Sequence, residues 1–295
     1  MNPLLIVGSV AIDTIRTPQG DASDQLGGSA VFAALTARHW VKPVVLSAIG
    51  GDFPMALEAK METAGVELGN LTRVANEKSF RWEGVYDAGL GTRETIGLDL
   101  GVMATAKLAA PDLFAIKFAM MGNYHPAREL EIMDKLPEGC FVAADTIQAW
   151  IRYELAALTE LFRRANIICI DGNELLEFTQ GKNEAAGVEK LFELGPRWAI
   201  IKYGKRGSRL YGREGERATF GIYDNVPKDT TGAGDTFLAA IMAHVAAVGR
   251  ADFETLKAGI RLGTAAASIT TEAFGVDAII EATGEEIEKR TTGVE

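Results

Sequence analysis

Asp229-Thr230-Thr231-Gly232-Ala233-Gly234-Asp235 decides how this chain is read. A glycine-containing turn opens directly into an apolar run, Thr236 to Val248, that reads as a long helix. Glycines let the backbone turn tightly and bring its N–H groups close to a ligand. The first N–H groups of a helix lack internal partners, and the helix dipole makes that end positive. The N–H groups around Gly232, Ala233 and Gly234 therefore form a candidate anion hole. Asp235 puts a carboxylate in the same turn. Beside an anion hole it is a poor phosphate binder and a sensible acceptor for the proton of a hydroxyl that attacks phosphate. The plainer reading of a bare Gly-x-Gly is a capped helix start. The doubled Thr, the flanking Asp229 and the apolar helix behind it weigh against that.

The chain of 295 residues is long enough for one large α/β domain with an appendage. Its net charge of −10 and lack of a Lys/Arg run argue against a nucleic-acid surface. Acidity does not forbid a nucleotide, because Mg²⁺ and backbone N–H groups supply a local positive field. Cys140 and Cys169 sit in apolar strand-like runs, with neither a disulfide framework nor zinc spacing around them. Met1 to Val7 lacks the features of a signal peptide, and no apolar run reaches membrane-spanning length. The expectation is a cytoplasmic protein with no membrane partner.

Short apolar runs at Leu4 to Val7, Val44 to Ile49, Phe118 to Met121, Cys140 to Ala144, Ile167 to Ile170 and Trp198 to Ile201 read as buried parallel strands. Helical patterns lie between most of them, including Trp150 to Arg164. Alternation of this kind predicts a doubly wound, mainly parallel sheet with helices on both faces. Asp13, Asn123 and Asp145 follow strand ends, where open α/β sheets bind ligands; a turn Asp is the competing reading for Asp13. Ser79 to Tyr86 alternates, placing Phe80, Trp82 and Tyr86 on one face, and Thr92 to Leu98 reads as its antiparallel partner. These predict a small inserted β lid from about residues 14–26 and 70–104. The aromatic face reads as lid core or a subunit interface ahead of a sugar-stacking platform. A homodimer through the lid is thus among the expectations.

Residues 229–237, Asp-Thr-Thr-Gly-Ala-Gly-Asp-Thr-Phe, resemble the C-terminal signature of the ribokinase-like (PfkB) carbohydrate kinases. Other features at matching order and spacing extend the resemblance over nearly all of 1–295, as a single ribokinase-like domain. The resemblance implies an ATP-dependent kinase acting on a hydroxyl, commonly primary, of a sugar or sugar-containing molecule. It makes Asp235 the base and the N–H groups of 232–234 the anion hole. It makes Asp13 the binder of sugar hydroxyls, with Gly27-Gly28 flexing beneath the substrate and Asn123 and Asp145 facing the same cleft. Asp171-Gly172-Asn173-Glu174 stands where family members show Asn-x-x-Glu, so Glu174 positions Mg²⁺ through water and Asp171 lies near phosphate. Lys202, Gly204 and Gly207 resemble the nucleotide loop; Gly-x-x-x-x-Gly-Lys-Ser/Thr, the P-loop pattern, is absent from the chain. By the same resemblance the loop Glu272 to Gly275, with Asp229 and Thr231, implies a site for a monovalent cation such as K⁺ beside the anion hole. A nucleoside kinase of the same fold is the nearest alternative, and a non-catalytic sugar- or nucleotide-binding protein the alternative of another class. A dinucleotide oxidoreductase is disfavoured, since Phe237 stands at the third glycine position.

Overall fold

The structure, a computed structural model, describes residues 2–294. From the N-terminus, β1 (Leu4–Val7) leads into a hairpin of β2 (Ala11–Thr17) and β3 (Gly20–Gly27), followed by α1 (Ser29–Ala37). Next come β4 (Pro43–Gly50), α2 (Met55–Thr63) and β5 (Leu71–Val74). A second hairpin, β6 (Phe80–Tyr86) and β7 (Arg93–Asp99), precedes the short α3 (Val102–Thr105). The alternation resumes with β8 (Phe118–Met121), α4 (Pro126–Met133), β9 (Phe141–Ala144), α5 (Gln148–Tyr153), α6 (Leu155–Arg164) and β10 (Ile167–Asp171). It continues through α7 (Gly172–Thr179), α8 (Glu184–Leu194), β11 (Trp198–Lys202), β12 (Ser208–Gly212) and β13 (Arg217–Phe220). Four helices close the chain: α9 (Ala233–Val248), α10 (Phe253–Thr270), α11 (Asp277–Glu281) and α12 (Gly284–Arg290).

Nine strands form one sheet in the order β13-β12-β11-β10-β9-β8-β1-β4-β5. It is parallel from β5 through β11, and β12 and β13 add an antiparallel edge. Both faces are covered, which is why the strands read as continuous apolar runs. On β1, Leu4 and Ile6 face a core built with α1, α9 and α10, while Leu5 and Val7 face one built with α4, α6 and α8. The order reverses at β1, whose neighbours β4 and β8 lie far apart in sequence. Ligand clefts of open α/β sheets lie at such a switch, at the carboxyl ends of the strands. The amide of Gly122, just past β8, closes that edge by donating to Val7 O at 2.8 Å.

The small sheet has the order β3-β2-β6-β7. Its extent differs in two places from the sequence expectation of 14–26 and 70–104. The first hairpin starts at Ala11, so Asp13 lies within a strand and not in a turn after β1. Leu71–Val74 joins the large sheet, parallel to β4. The crossover helix α2 between β4 and β5 brings the chain back in the same direction, and hence forces parallel pairing. The helix expected over Trp150 to Arg164 is two helices, because Glu154 leaves the helical region at φ −131°, ψ 32°. Among the described residues no helix is long and apolar enough to cross a membrane.

Candidate active site

Gly232 caps α9 in the left-handed region at φ 75°. Only glycine takes that conformation cheaply, and a Cβ there would lie 2.4 Å from the Phe32 ring. The turn aims backbone N–H groups outward at the helix start. Among the described residues, no acceptor meets the N–H groups of Gly232 and Gly234, whereas that of Ala233 donates to Thr230 O at 3.3 Å. Within the candidate anion hole the free donors are thus the two glycines rather than all three residues. Asp229 is fully buried and shapes the loop from below. One of its carboxylate oxygens accepts from Thr231 N–H at 2.8 Å and the other from Gly275 N–H at 3.0 Å. Burial raises its pKa against these hydrogen bonds and the nearby Arg93.

Asp235 occupies the first turn of α9, half-buried beside the anion hole. Burial, and then the charge of Asp145, push its pKa up to about 7, opposed by Lys202 and Arg93. The Lys202 ammonium, at the end of β11, donates to Asp145 Oδ2 at 2.6 Å. A Cβ on Gly234 would stand 3.4 Å from Lys202 Nζ, so this cation borders the anion hole. Burial works against its charge, but Asp145 and, beyond it, Glu174 hold it protonated, with its pKa raised. Asp171 and Glu174 form a capping box on α7. Asp171 accepts from Asn173 N–H at 2.7 Å, and Glu174 Oε2 accepts from Asp171 N–H at 3.1 Å. The plain helix-start reading of this acidic pair is therefore realised. Glu174 also feels Lys202 and Asp145, and burial raises its pKa to about 7.

Asp13 faces the same cleft from the small sheet. It is buried, and Gly27 leaves room for it: a Cβ there would sit 1.9 Å from its carboxylate oxygen. Burial, followed by the charge of Asp229, lifts its pKa to about 8; Arg93 and the Gly28 amide pull it down. Gly28 caps α1 in turn. The side-chain oxygen of Asn123 accepts from Trp150 Nε1 at 2.9 Å, and its amide donates to Ser29 Oγ at 3.0 Å. The structure thus ties Asn123 to the fold and Asp145 to Lys202.

On the other side of the anion hole a cavity of about 830 Å³ opens between the α7 start, the turn Gly204–Arg206, Gly207, and the facing walls of α9 and α10. Lys202, Gly204, Gly207 and Asp171 line it together, with Ala233 and Gly234 at one end and Tyr223, Asn225 and Ser268 at the other. Its size suits a nucleotide. Gly89, Leu90 and Gly91, from the β6–β7 tip, also reach its wall. Thr230 Oγ1 donates to Leu90 O at 3.4 Å, and the Tyr86 hydroxyl pairs with Thr231 Oγ1 at 2.8 Å. Sequence reasoning singled out neither Tyr86 as a site residue nor Arg93, its cross-strand partner. The signal available was the hairpin register alone.

The sequence matches the pfkB family of carbohydrate kinases over residues 1–283. It is 24% identical over 256 residues to the cytidine kinase of Thermococcus kodakarensis, covering 82% of this chain and 88% of that one. Its fold is similar to that of the Methanocaldococcus jannaschii nucleoside kinase, an archaeal member of the ribokinase family. The TM-score is 0.81 at 20% identity, over 99% of this chain and 98% of that one. Fructokinase from Vibrio cholerae, solved with fructose, ADP and calcium ion, gives a TM-score of 0.81 at 14% identity over 99% of both chains. The anion-hole turn, the carboxylate on α9 and the mainly parallel sheet beneath them belong together: this chain is a member of the pfkB family of carbohydrate kinases.

Proposed function

We propose that the chain transfers the γ-phosphoryl group of ATP to a hydroxyl, primary in the first instance, of a sugar or sugar-containing small molecule. The observation that carries this is the position of Asp235. It stands beside the two free glycine N–H groups, with the nucleotide-sized cavity on one side and Asp13 on the other. A nucleoside as acceptor is the second reading, favoured by the similarity to the cytidine kinase and the nucleoside kinase.

In this reading Asp13 accepts hydrogen bonds from acceptor hydroxyls and Asp235 takes the proton of the attacking one. The N–H groups of Gly232 and Gly234, helped by Lys202, stabilise charge on the transferring group. Such transfer depends on positioning and electrostatics more than on covalent chemistry. Among the described residues no group of three or more His, Cys, Asp and Glu converges to hold a metal ion directly. Glu174 has one oxygen committed to an amide and lies in the field of Lys202 and Asp145, which fits contact with Mg²⁺ through water. Bound Mg²⁺ would neutralise charge on the phosphates. Asp229, buried and without an ion pair among the described residues, fits a monovalent cation such as K⁺ beside the loop. The small sheet serves as a lid over the acceptor. Pairing of two copies through its edge strand β7, where Ile96 and Leu98 stay exposed, belongs to the same proposal.

The test is ADP release across a panel of sugars and nucleosides. Removal of divalent metal by EDTA should abolish turnover, and Glu174→Ala should raise the Mg²⁺ concentration needed more than it alters acceptor affinity. Turnover that survives EDTA would rule the reading out.

A further inference from the structure

We propose that Arg93 is a catalytic residue: carried by the small sheet, its guanidinium donates hydrogen bonds to the oxygens of the phosphoryl group in flight. The inference rests on the phosphoryl-transfer reading above.

The hairpin register sets Arg93 directly across from Tyr86. The Tyr86 hydroxyl is anchored on Thr231, one residue before the glycine that caps α9, and the Tyr86 ring is buried. Arg93 is thereby fixed relative to the anion hole by a neighbour that touches the anion-hole loop. A second support is the Trp82 ring, with Arg93 Cζ 5.5 Å from its centroid. That ring is itself pinned. Its Nε1 donates to Thr95 Oγ1 at 3.1 Å, and it lies against Gly84, where a Cβ would stand 2.2 Å from the indole. Residue 84 has no side chain, and so the indole can lie along the sheet and serve as a shelf for the guanidinium.

The charge pattern shows what Arg93 is held for. Its side chain keeps an exposed surface, its guanidinium is surrounded by protein with the Tyr86 hydroxyl as its hydrogen-bond neighbour, and among the described residues no carboxylate lies within salt-bridge distance of it. Its field nevertheless reaches four carboxylates: Asp13, Asp229, Asp235 and Glu174. Each of these has an assignment of its own, to acceptor, cation, proton or metal. An arginine left unpaired in the middle of such a group is a cation kept available for a transient anion. A planar fork of N–H donors suits the oxygens of a transferring phosphoryl group, and an arginine so placed stabilises its charge. In the step itself the acceptor oxygen forms the new bond to phosphorus. The bond from phosphorus to the β,γ-bridging oxygen breaks, and its electron pair leaves with ADP. The hydroxyl proton goes to Asp235. Arg93 exchanges no proton, because guanidinium stays charged throughout. Its arrival with the small sheet would make efficient transfer conditional on a docked lid.

The test is steady-state kinetics on wild type, Arg93→Gln and Arg93→Lys with Mg-ATP and an acceptor that the wild type phosphorylates. Thermal stability and calorimetric ATP affinity are measured alongside. Arg93→Gln is expected to lower kcat by about 10²- to 10³-fold, the usual loss when one preorganised donor to the transition state is removed. ATP affinity should stay within about threefold, as for an interaction made chiefly in the transition state. Arg93→Lys should recover only part of the loss, since an ammonium lacks the fork. A folded Arg93→Gln with near-wild-type kcat overturns the inference. So does a loss of kcat matched by an equal loss of ATP affinity. If the glutamine variant unfolds, wild-type kcat in folded Arg93→Lys overturns it as well. A wild type that turns over no acceptor overturns the phosphoryl-transfer reading, and this inference with it.

Discussion

Asp235 differs from Asp229, Glu174 and Asp145 in what surrounds it. Asp229 is tied to two amides, Glu174 to a helix cap and Asp145 to Lys202. Asp235 shares the cleft with two cations, Lys202 and Arg93, and ion-pairs with neither among the described residues. A base acts as the carboxylate. With its pKa near 7, activity should fall as pH drops through about 7 and level off above it. A pH–kcat/KM profile of the free enzyme checks this, and an acid limb near the ordinary carboxylate value of about 4 would contradict it. At pH above about 8, where Asp13 carries its charge, Asp13→Ala should weaken acceptor binding by about 1.5–3 kcal/mol, the worth of hydrogen bonds to a charged group, with ATP affinity little changed. Paired calorimetric titrations decide; equal loss of both affinities would mean a disturbed fold. At this scale the glycine turn that opens α9 was legible, because a glycine turn entering a helix is local chemistry. The Lys202–Asp145 pair and Arg93 were not. Asp145 and Lys202 are 57 positions apart, and only the strand order brings them together.

The two elements that matter most are α9 and the β6–β7 hairpin. The sequence showed both, the helix by its apolar run and the hairpin by its alternation. It did not show that they touch. The bonds from Tyr86 to Thr231 and from Thr230 to Leu90 join them across about 140 positions. The same blindness to pairing explains why Asp13 read as following a strand end when it lies within β2, and why Leu71–Val74 read as part of the lid, since strand partners are chosen by the whole sheet. Tyr86→Phe keeps the ring packing and removes one hydrogen bond, so stability should fall by about 0.5–1.5 kcal/mol. The sharper effect should be on coupling. With the hairpin less firmly docked, water reaches the phosphoryl group more often. The ratio of acceptor-dependent to basal ADP release should drop, and an unchanged ratio in Tyr86→Phe would detach the hairpin from control of the reaction.

For the molecule as a whole, the fold was the most legible property. Apolar strands alternating with helical runs specify a parallel sheet with both faces covered, whatever the ligand. The cost of the site is less visible. Asp13, Asp235 and Glu174 all have folded-state pKa values well above the ordinary range, chiefly through burial. A raised acid binds its proton more tightly in the folded chain. Its stability is therefore full below the unfolded pKa of about 4 and is lost as pH rises through 7 to 8. The ligand-free protein should melt at lower temperature at pH 8.5 than at pH 5.5, the window these shifts set as about 4 to 8. Asp13→Asn should flatten that slope, and calorimetry showing the same slope in the variant would contradict this origin. Acceptor-dependent phosphoryl transfer with Asp235 as base is settled by following ADP release and acceptor mass with Mg-ATP across the sugar and nucleoside panel, in wild type and Asp235→Asn. An acceptor should raise ADP release well above the basal rate and gain one phosphoryl group, with kcat in Asp235→Asn lower by about two to four decades and ATP still bound. No acceptor above the basal rate, or near-wild-type turnover by Asp235→Asn, would contradict it.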